Sequence, residues 1–146
     1  MKVRKMLFSD YKSVYRLWLN TPGMGLNTVD DSETGIKKYL RRNPNTCFVA
    51  EKEGEIAGVI LSGHDGRRGL IYHLAVKVSE REQGLGSKLL EHAIEALKNE
   101  GIAKIYIVVF KNNEPGNAFW EKQGFVIPSE SIYRAKEIIS IEHMDT

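Results

Sequence analysis

Residues 70 to 101, LIYHLAVKVSEREQGLGSKLLEHAIEALKNEG, run without interruption from an apolar strand through a glycine-bearing turn into a long helix. No other stretch restricts the fold as tightly. LIYHLAVKV is rich in β-forming residues. From about Gly84 the spacing places Leu85, Leu89, Leu90, Ala93, Ile94 and Leu97 on one helical face, and Gly101 stands where a C-terminal cap belongs. A helix with one apolar face, fed directly by a strand, must cover a sheet. The chain is therefore of mixed α/β class, with a central sheet covered on both faces.

The turn itself carries chemistry. A helix N-terminus exposes up to four unpaired N–H groups and the positive end of the helix dipole. Glycines there let the backbone approach an anion closely and adopt positive φ. Gly84 and Gly86, flanked by Arg81 and Lys88, fit a pyrophosphate cradle that needs no metal. They fit equally a plain loop with a glycine-softened helix start. Two better-known phosphate motifs fail here. A Walker loop needs Gly-Lys-Ser/Thr, whereas Lys88 follows Ser87. A dinucleotide fingerprint needs a third glycine where Leu89 stands, and the next strand ends VVFKNN without its acidic residue.

Around this centre the remaining elements follow in order. KVRKML reads as a short strand, and SDYKSVYRLWLN as a helix with Tyr11, Val14, Tyr15 and Trp18 at helical spacing. TPGMGLNTVDD is a loop, and a second helix begins near Ser32 and stops before Pro44. TCFVAEKE and EIAGVILSG, joined at Gly54, read as a hairpin. After the long helix, AKIYIVVF reads as a strand buried on both faces, GNAFWEKQ as a short helix, and FVI and YRAKEIISIE as the last strands. The predicted order is β-α-α-β-β-β-α-β-α-β-β in one domain, residues 1–146.

Charge and composition exclude several classes. A net charge of +2 with interspersed signs gives no footprint for nucleic acid or an anionic membrane. The basic pairs Lys37-Lys38, Arg41-Arg42 and Arg67-Arg68 read as solvated faces. The one cysteine, Cys47, forbids an internal disulfide and lies in an apolar strand-like run, as a buried inert thiol does. No apolar run is long enough to span a bilayer, and the N-terminus lacks a signal-peptide core, so a cytoplasmic protein is expected. His64, His92 and His143 have no partners at metal-ligand spacing, and no metal site is predicted.

Two blocks together point further. Arg81-x-x-Gly84-x-Gly86, preceded by HLAVKVSE and followed by SKLLEHAIEAL, resembles motif A of the GCN5-related N-acetyltransferases, the GNAT superfamily. Downstream, NNEPGNAFWEKQGF resembles that family's motif B: Asn113, an aromatic seven residues later, then Glu-Lys-x-Gly-Phe. SGHDGRRGLIYHLAV further looks like a bacterial subgroup of small members. The resemblance implies a GNAT fold: a central mixed, mostly antiparallel twisted sheet of six to seven strands, splayed between the fourth and fifth, with about four helices on both faces.

It also implies an N-acetyltransferase that takes acetyl-CoA as cosubstrate, without a metal, and passes the acetyl group to a primary amine of a small molecule, peptide or protein. The pantetheine arm would lie along the backbone of Leu74, Ala75 and Val76, where unpaired ladder groups need partners. The pyrophosphate would sit on the N–H groups of Glu82, Gln83, Gly84, Leu85, Gly86 and Ser87, with Arg81 and Lys88 adding charge. Asn113 matches the asparagine that contacts the cofactor arm, or else caps a helix. The Val76 N–H would polarise the thioester carbonyl.

Relatives often carry a strand carboxylate as base; this chain has Tyr72 and His73 there, the candidate bases. Strand alternation puts Tyr72 on the face of Leu74 and Val76, and His73 on the other, as a core histidine would be. The sharpest departure is Trp120, where many relatives have a tyrosine thought to protonate the departing thiolate. An indole has no such proton to give, and Trp120 is expected to pack against the cofactor or the core. Tyr106 and Tyr133 are other possible donors. In the first loop, Asp30 and Asp31 would attract a cationic amine, with Trp18 and Met24 lining the pocket, unless Asp31 and Ser32 serve to cap the second helix. The partners implied are acetyl-CoA and an amine-bearing acceptor, with no nucleic acid or membrane, for a monomer or homodimer. The replaced tyrosine leaves an alternative, a catalytically silent acyl-CoA-binding sensor or interaction module.

Overall fold

The computed structural model describes residues 1–144. Its elements are β1 (Lys2–Lys5), α1 (Tyr11–Leu19), α2 (Glu33–Arg42), β2 (Phe48–Lys52), β3 (Glu55–His64), β4 (Gly69–Val76), α3 (Leu85–Asn99), β5 (Ile105–Ile107) and α4 (Glu114–Lys122). The five strands form one sheet in sequence order, antiparallel from β1 to β4, with β4 and β5 parallel. One core fills the face under α1 and α2, around Val14, Trp18, Leu26, Ile36, Val49 and Val59. The second fills the opposite face under α3 and α4, around Ile60, Ile71, Leu85, Leu89, Leu90 and Ala93, with Phe119 and Trp120 packed on it. Burying such side chains stabilises by roughly 1.5–3 kcal/mol each.

Local chemistry sets the element ends. The Ser32 hydroxyl accepts the Gly35 N–H at 3.0 Å and caps α2, whose last turn carries Arg41 and Arg42 against the dipole. Gly101 (φ +81°) closes α3 with two bonds, Gly101 N–H to Lys98 O and Ile102 N–H to Leu97 O, the Schellman pattern. Between β2 and β3 the two turn residues Glu53 and Gly54 both have positive φ, +52° and +79°. A two-residue hairpin with the sheet's own twist requires that conformation.

Three sequence expectations are corrected. The strand after α3 covers only Ile105–Ile107 instead of residues 103–110, and Tyr106, Val108 and Phe110 are exposed rather than buried. Residues 125–127 and 133–142 form no strands, so the described residues give a five-stranded sheet, not six or seven. Ile127 is 93% exposed and Ile138 96%. The chain's end bonds elsewhere: Thr28 N–H donates to Glu142 O and Met144 N–H to Leu26 O, which ties it to the loop between α1 and α2. The third correction concerns β4. Leu61 pairs with His73 and Ser62 with Ile71, so Tyr72 is one extra residue, a β-bulge. Simple alternation fails there. Tyr72 and His73 both turn to the α1/α2 face, where Tyr72 meets Tyr39 of α2 and His73 meets Trp18 of α1.

Candidate active site

The β4–β5 ladder holds only three pairs, Gly69↔Ile105, Leu70↔Tyr106 and Ile71↔Ile107. Beyond Ile71 the remainder of β4 has no strand partner on that edge among the described residues. Lys77 N–H donates to Ala57 O at 2.8 Å, and antiparallel pairing alternates along a strand. Ala75 therefore also bonds toward β3, whereas Leu74 and Val76 turn their N–H and C=O groups into the gap beside β4. The Val76 carbonyl is met there by the Arg81 Nε–H at 3.1 Å. The Leu74 amide groups and the Val76 N–H are left facing the opening, half-buried and ready to take partners. Arg81 is thus a side chain that closes the end of the strand.

The gap leads to the turn before α3. Gly84 is left-handed (φ +76°) and forms the helix N-cap without a side-chain bond; a Cβ there would meet no atom within 4 Å. Glu82 is also left-handed, at φ +62°, a strained conformation for a non-glycine residue. Among the described residues the N–H groups of 82–87 make no hydrogen bond within the chain; the first helical bond is Lys88 N–H to Gly84 O at 3.0 Å. Six adjacent free donors thus stand at the positive end of a fifteen-residue helix, the arrangement in which a helix start can take an anion. Leu85 is the exception in side-chain direction, buried against the core, while Gln83 and Lys88 are exposed. Ser87 accepts a hydrogen bond from Gln123 Nε2 at 2.9 Å, which fixes the start of α3 to the end of α4.

The motif B residues flank the gap from the other side. Asn113 caps α4, its Oδ1 accepting the Gly116 N–H at 3.0 Å, which leaves its side-chain amide N–H groups pointing elsewhere. Trp120 sits in an aromatic cluster, edge-on to Phe119 at 5.0 Å and to Phe125 at 5.1 Å. Its role is packing of α4 on the sheet.

At the narrow end of the gap stand the candidate bases. Tyr72 is 52% exposed. Burial first, then the nearby Asp30 and Tyr133, push its hydroxyl above the ordinary tyrosine value. At neutral pH the hydroxyl therefore keeps its proton. His73 is buried: its Nε2–H donates to Asp31 Oδ1 at 2.8 Å, and its side chain and that of Asp31 are 8% and 4% exposed. Among the described residues the His73 Nδ1 has no hydrogen-bond partner. Asp31 does not cap α2, since Ser32 does. Its other oxygen accepts the Asn27 N–H at 2.9 Å, and its carbonyl accepts the Tyr11 hydroxyl at 2.7 Å. Sequence reasoning missed this Asp31–His73 pair because the bulge that aims His73 at the loop leaves no residue signature. Trp18 is fully buried against His73, so it forms core and not pocket lining.

Outside the gap, His64 pairs with Glu100, His143 with Glu137, and His92 with the Lys88 carbonyl. Among the described residues no group of three or more His, Cys, Asp or Glu is arranged to hold a metal ion, and no helix is long and apolar enough to cross a membrane. Cys47 is buried, and burial pushes its thiol up to about 12, which keeps it inert.

Known proteins share this fold. The family model described as the acetyltransferase (GNAT) family matches residues 11–125. Acetyltransferase SG1711 of Sodalis glossinidius is 29% identical over 139 residues, covering 95% of this chain and 96% of its own. Among solved structures, Ard1 from Thermoplasma volcanium superposes with a TM-score of 0.76 at 23% identity, covering 88% of this chain and 84% of its own. Rv2747 from Mycobacterium tuberculosis, solved in complex with CoA and NLQ, gives 0.71 at 16% identity, with 92% and 77% covered.

Proposed function

Because the chain belongs to the acetyltransferase (GNAT) family, we propose that it transfers the acetyl group of acetyl-CoA to a primary amine of a small molecule or peptide, by direct attack on the thioester. The observation that carries this reading is the continuity of the unpaired β4 edge at Leu74 and Val76 with the free N–H groups of residues 82–87. One end offers amide partners to an extended pantetheine arm; the other offers free N–H groups and the positive helix end that a pyrophosphate needs. That the relative Rv2747 was solved with CoA agrees with this choice of donor.

The chemistry then falls at the apex, beside Tyr72. The amine nitrogen forms the new bond to the carbonyl carbon, the C–S bond breaks, and the amine loses one proton while the thiolate gains one. The Val76 N–H polarises the carbonyl oxygen. The Tyr72 hydroxyl, protonated at neutral pH, supplies the donor that Trp120 cannot. Asp30, exposed on the rim and near Tyr72, draws in the ammonium form, which releases one proton to solvent to become the attacking amine. The proton lost on attack leaves through water past Asp30, and Tyr72, once it has protonated the thiolate, recovers its own from solvent. His73 is held inside by Asp31 and serves the apex by position.

The test is an amine panel (diamines, amino acids, aminoglycosides and peptides with free N-termini) mixed with acetyl-CoA and the chain, with free CoA thiol read over time. Release that depends on one class of amine supports transfer. If acetyl-CoA binds and no amine releases thiol, the chain is instead the silent acyl-CoA-binding module.

A further inference from the structure

The loop between α1 and α2 touches both arms of the gap. Near its start, a Cβ placed on Gly23 would lie 3.2 Å from Asn113 Nδ2, and one on Gly25 3.0 Å from Phe110 Cζ. Phe110 and Asn113 continue from β5, so this half of the loop lies against the β5 arm. At its end, Asp31 holds His73, which belongs to the β4 arm. Leu26, between the two contacts, is fully buried in the core, and the Met144 N–H bonds to its carbonyl. The loop is therefore a strap with one end on each strand of the splayed pair, crossing where the two strands part.

At the β4 end this strap is held by a buried hydrogen bond between Asp31 and His73. Asp31 uses both carboxylate oxygens, one on the His73 Nε2–H and one on the Asn27 N–H, and its backbone carbonyl takes the Tyr11 hydroxyl. Trp18 closes over the imidazole with ring centroids 4.8 Å apart. A carboxylate so buried is retained only with its partners in place, since removing one leaves an uncompensated charge. His73 directly follows the bulged Tyr72 and directly precedes Leu74, so whatever moves the imidazole moves both the apex hydroxyl and the first open amide of the gap.

We infer that Asp31–His73 is a positioning clasp: it fastens the α1–α2 strap to the β4 bulge and so sets the separation of the two splayed strands and the aim of Tyr72. His73 acts through Asp31 and the strap and touches neither substrate. The inference rests on the acetyl-transfer reading only for its effect on rate; its structural content stands alone.

The experiment pairs amide hydrogen exchange of the unliganded full chain with steady-state kinetics, on His73→Phe, His73→Gln and Asp31→Asn. Phenylalanine keeps the ring and removes the donor; glutamine restores an N–H that can reach Asp31. In His73→Phe, exchange in residues 23–31 and 108–113 rises by about ten-fold, the latter without any contact to the substituted side chain, while α3 and the turn at 82–87 stay as in the wild type. With an accepted amine, kcat falls by about ten-fold, the acetyl-CoA KM stays within about two-fold, and His73→Gln recovers most of the loss. Should His73→Phe fail to fold, Asp31→Asn, which keeps the volume and removes the charge, gives the same two readings. A folded variant with unchanged exchange in residues 108–113, or with exchange raised evenly through α3, overturns the clasp. So does an unchanged kcat. If the wild type binds no acetyl-CoA, the transfer reading falls, and the exchange pattern alone decides the clasp.

Discussion

Tyr72 owes its place to one extra residue in β4. The type of residue, an aromatic hydroxyl at the end of an apolar strand, is legible in the sequence; the face it occupies is not. Bulges depend on where two ladders compete for register, and nothing in IYHLAV marks the site. Its expected consequence is kinetic: Tyr72→Phe lowers kcat by roughly 100-fold with acetyl-CoA affinity unchanged, checked by steady-state rates beside calorimetric titration. Asp10 makes a separate, stability-linked case. Burial works to raise its pKa, but the Arg4 guanidinium, bonded to both its oxygens at 2.9 Å, and the Leu7 N–H outweigh that and leave it lowered. A carboxylate lowered in the folded state contributes stability above its unfolded value, and that contribution is lost as pH falls through the folded one. Thermal melts between about pH 6 and pH 3 should show the wild type losing an increment that Asp10→Asn lacks, with the variant less stable at pH 6.

Among the elements, the helices were the most legible. Their boundaries rest on local chemistry that a sequence displays: Ser32 before α2, Pro44 after it, Gly101 after α3. The strands were legible only where a partner exists. Ile138 and Ile139 have the β-branched composition of a strand, yet propensity reports fit to a pleated surface and not whether a ladder is on offer. Here the chain end spends its bonds on Leu26 and Thr28. The turn before α3 combines both kinds of information, since its glycines are visible and its free N–H groups follow from helix geometry. Gly84→Val tests the element directly. Valine at φ +76° is strained, so the turn must rearrange and the donors disperse. Affinity for acetyl-CoA drops by at least about ten-fold while the thermal midpoint changes modestly, measured by titration and by melting curves.

The molecule as a whole divides its labour across the sheet. The face with α3 and α4 carries the free donors of residues 82–87 with the cations Arg81 and Lys88, and the face with α1 and α2 carries Asp30 and the buried Asp31. The splay between β4 and β5 joins the two faces. The proposed donor side is readable from the chain because its chemistry is backbone chemistry, which needs only glycines and a helix start in order. The opposite side, where we place the acceptor, is assembled from loop residues brought together over long sequence separations, Asp31 against His73 and Gly25 against Phe110, and no local pattern encodes it. The central claim is that the free donors of residues 82–87 hold the pyrophosphate of the acetyl donor. It is tested most directly by titrating the wild-type chain with acetyl-CoA and, in parallel, with S-acetyl-pantetheine, which has the same thioester and arm and no pyrophosphate. The cradle predicts that acetyl-CoA binds about 100-fold tighter or more, as several charge-assisted hydrogen bonds require. Equal affinity for the two, or no binding of acetyl-CoA, would contradict it.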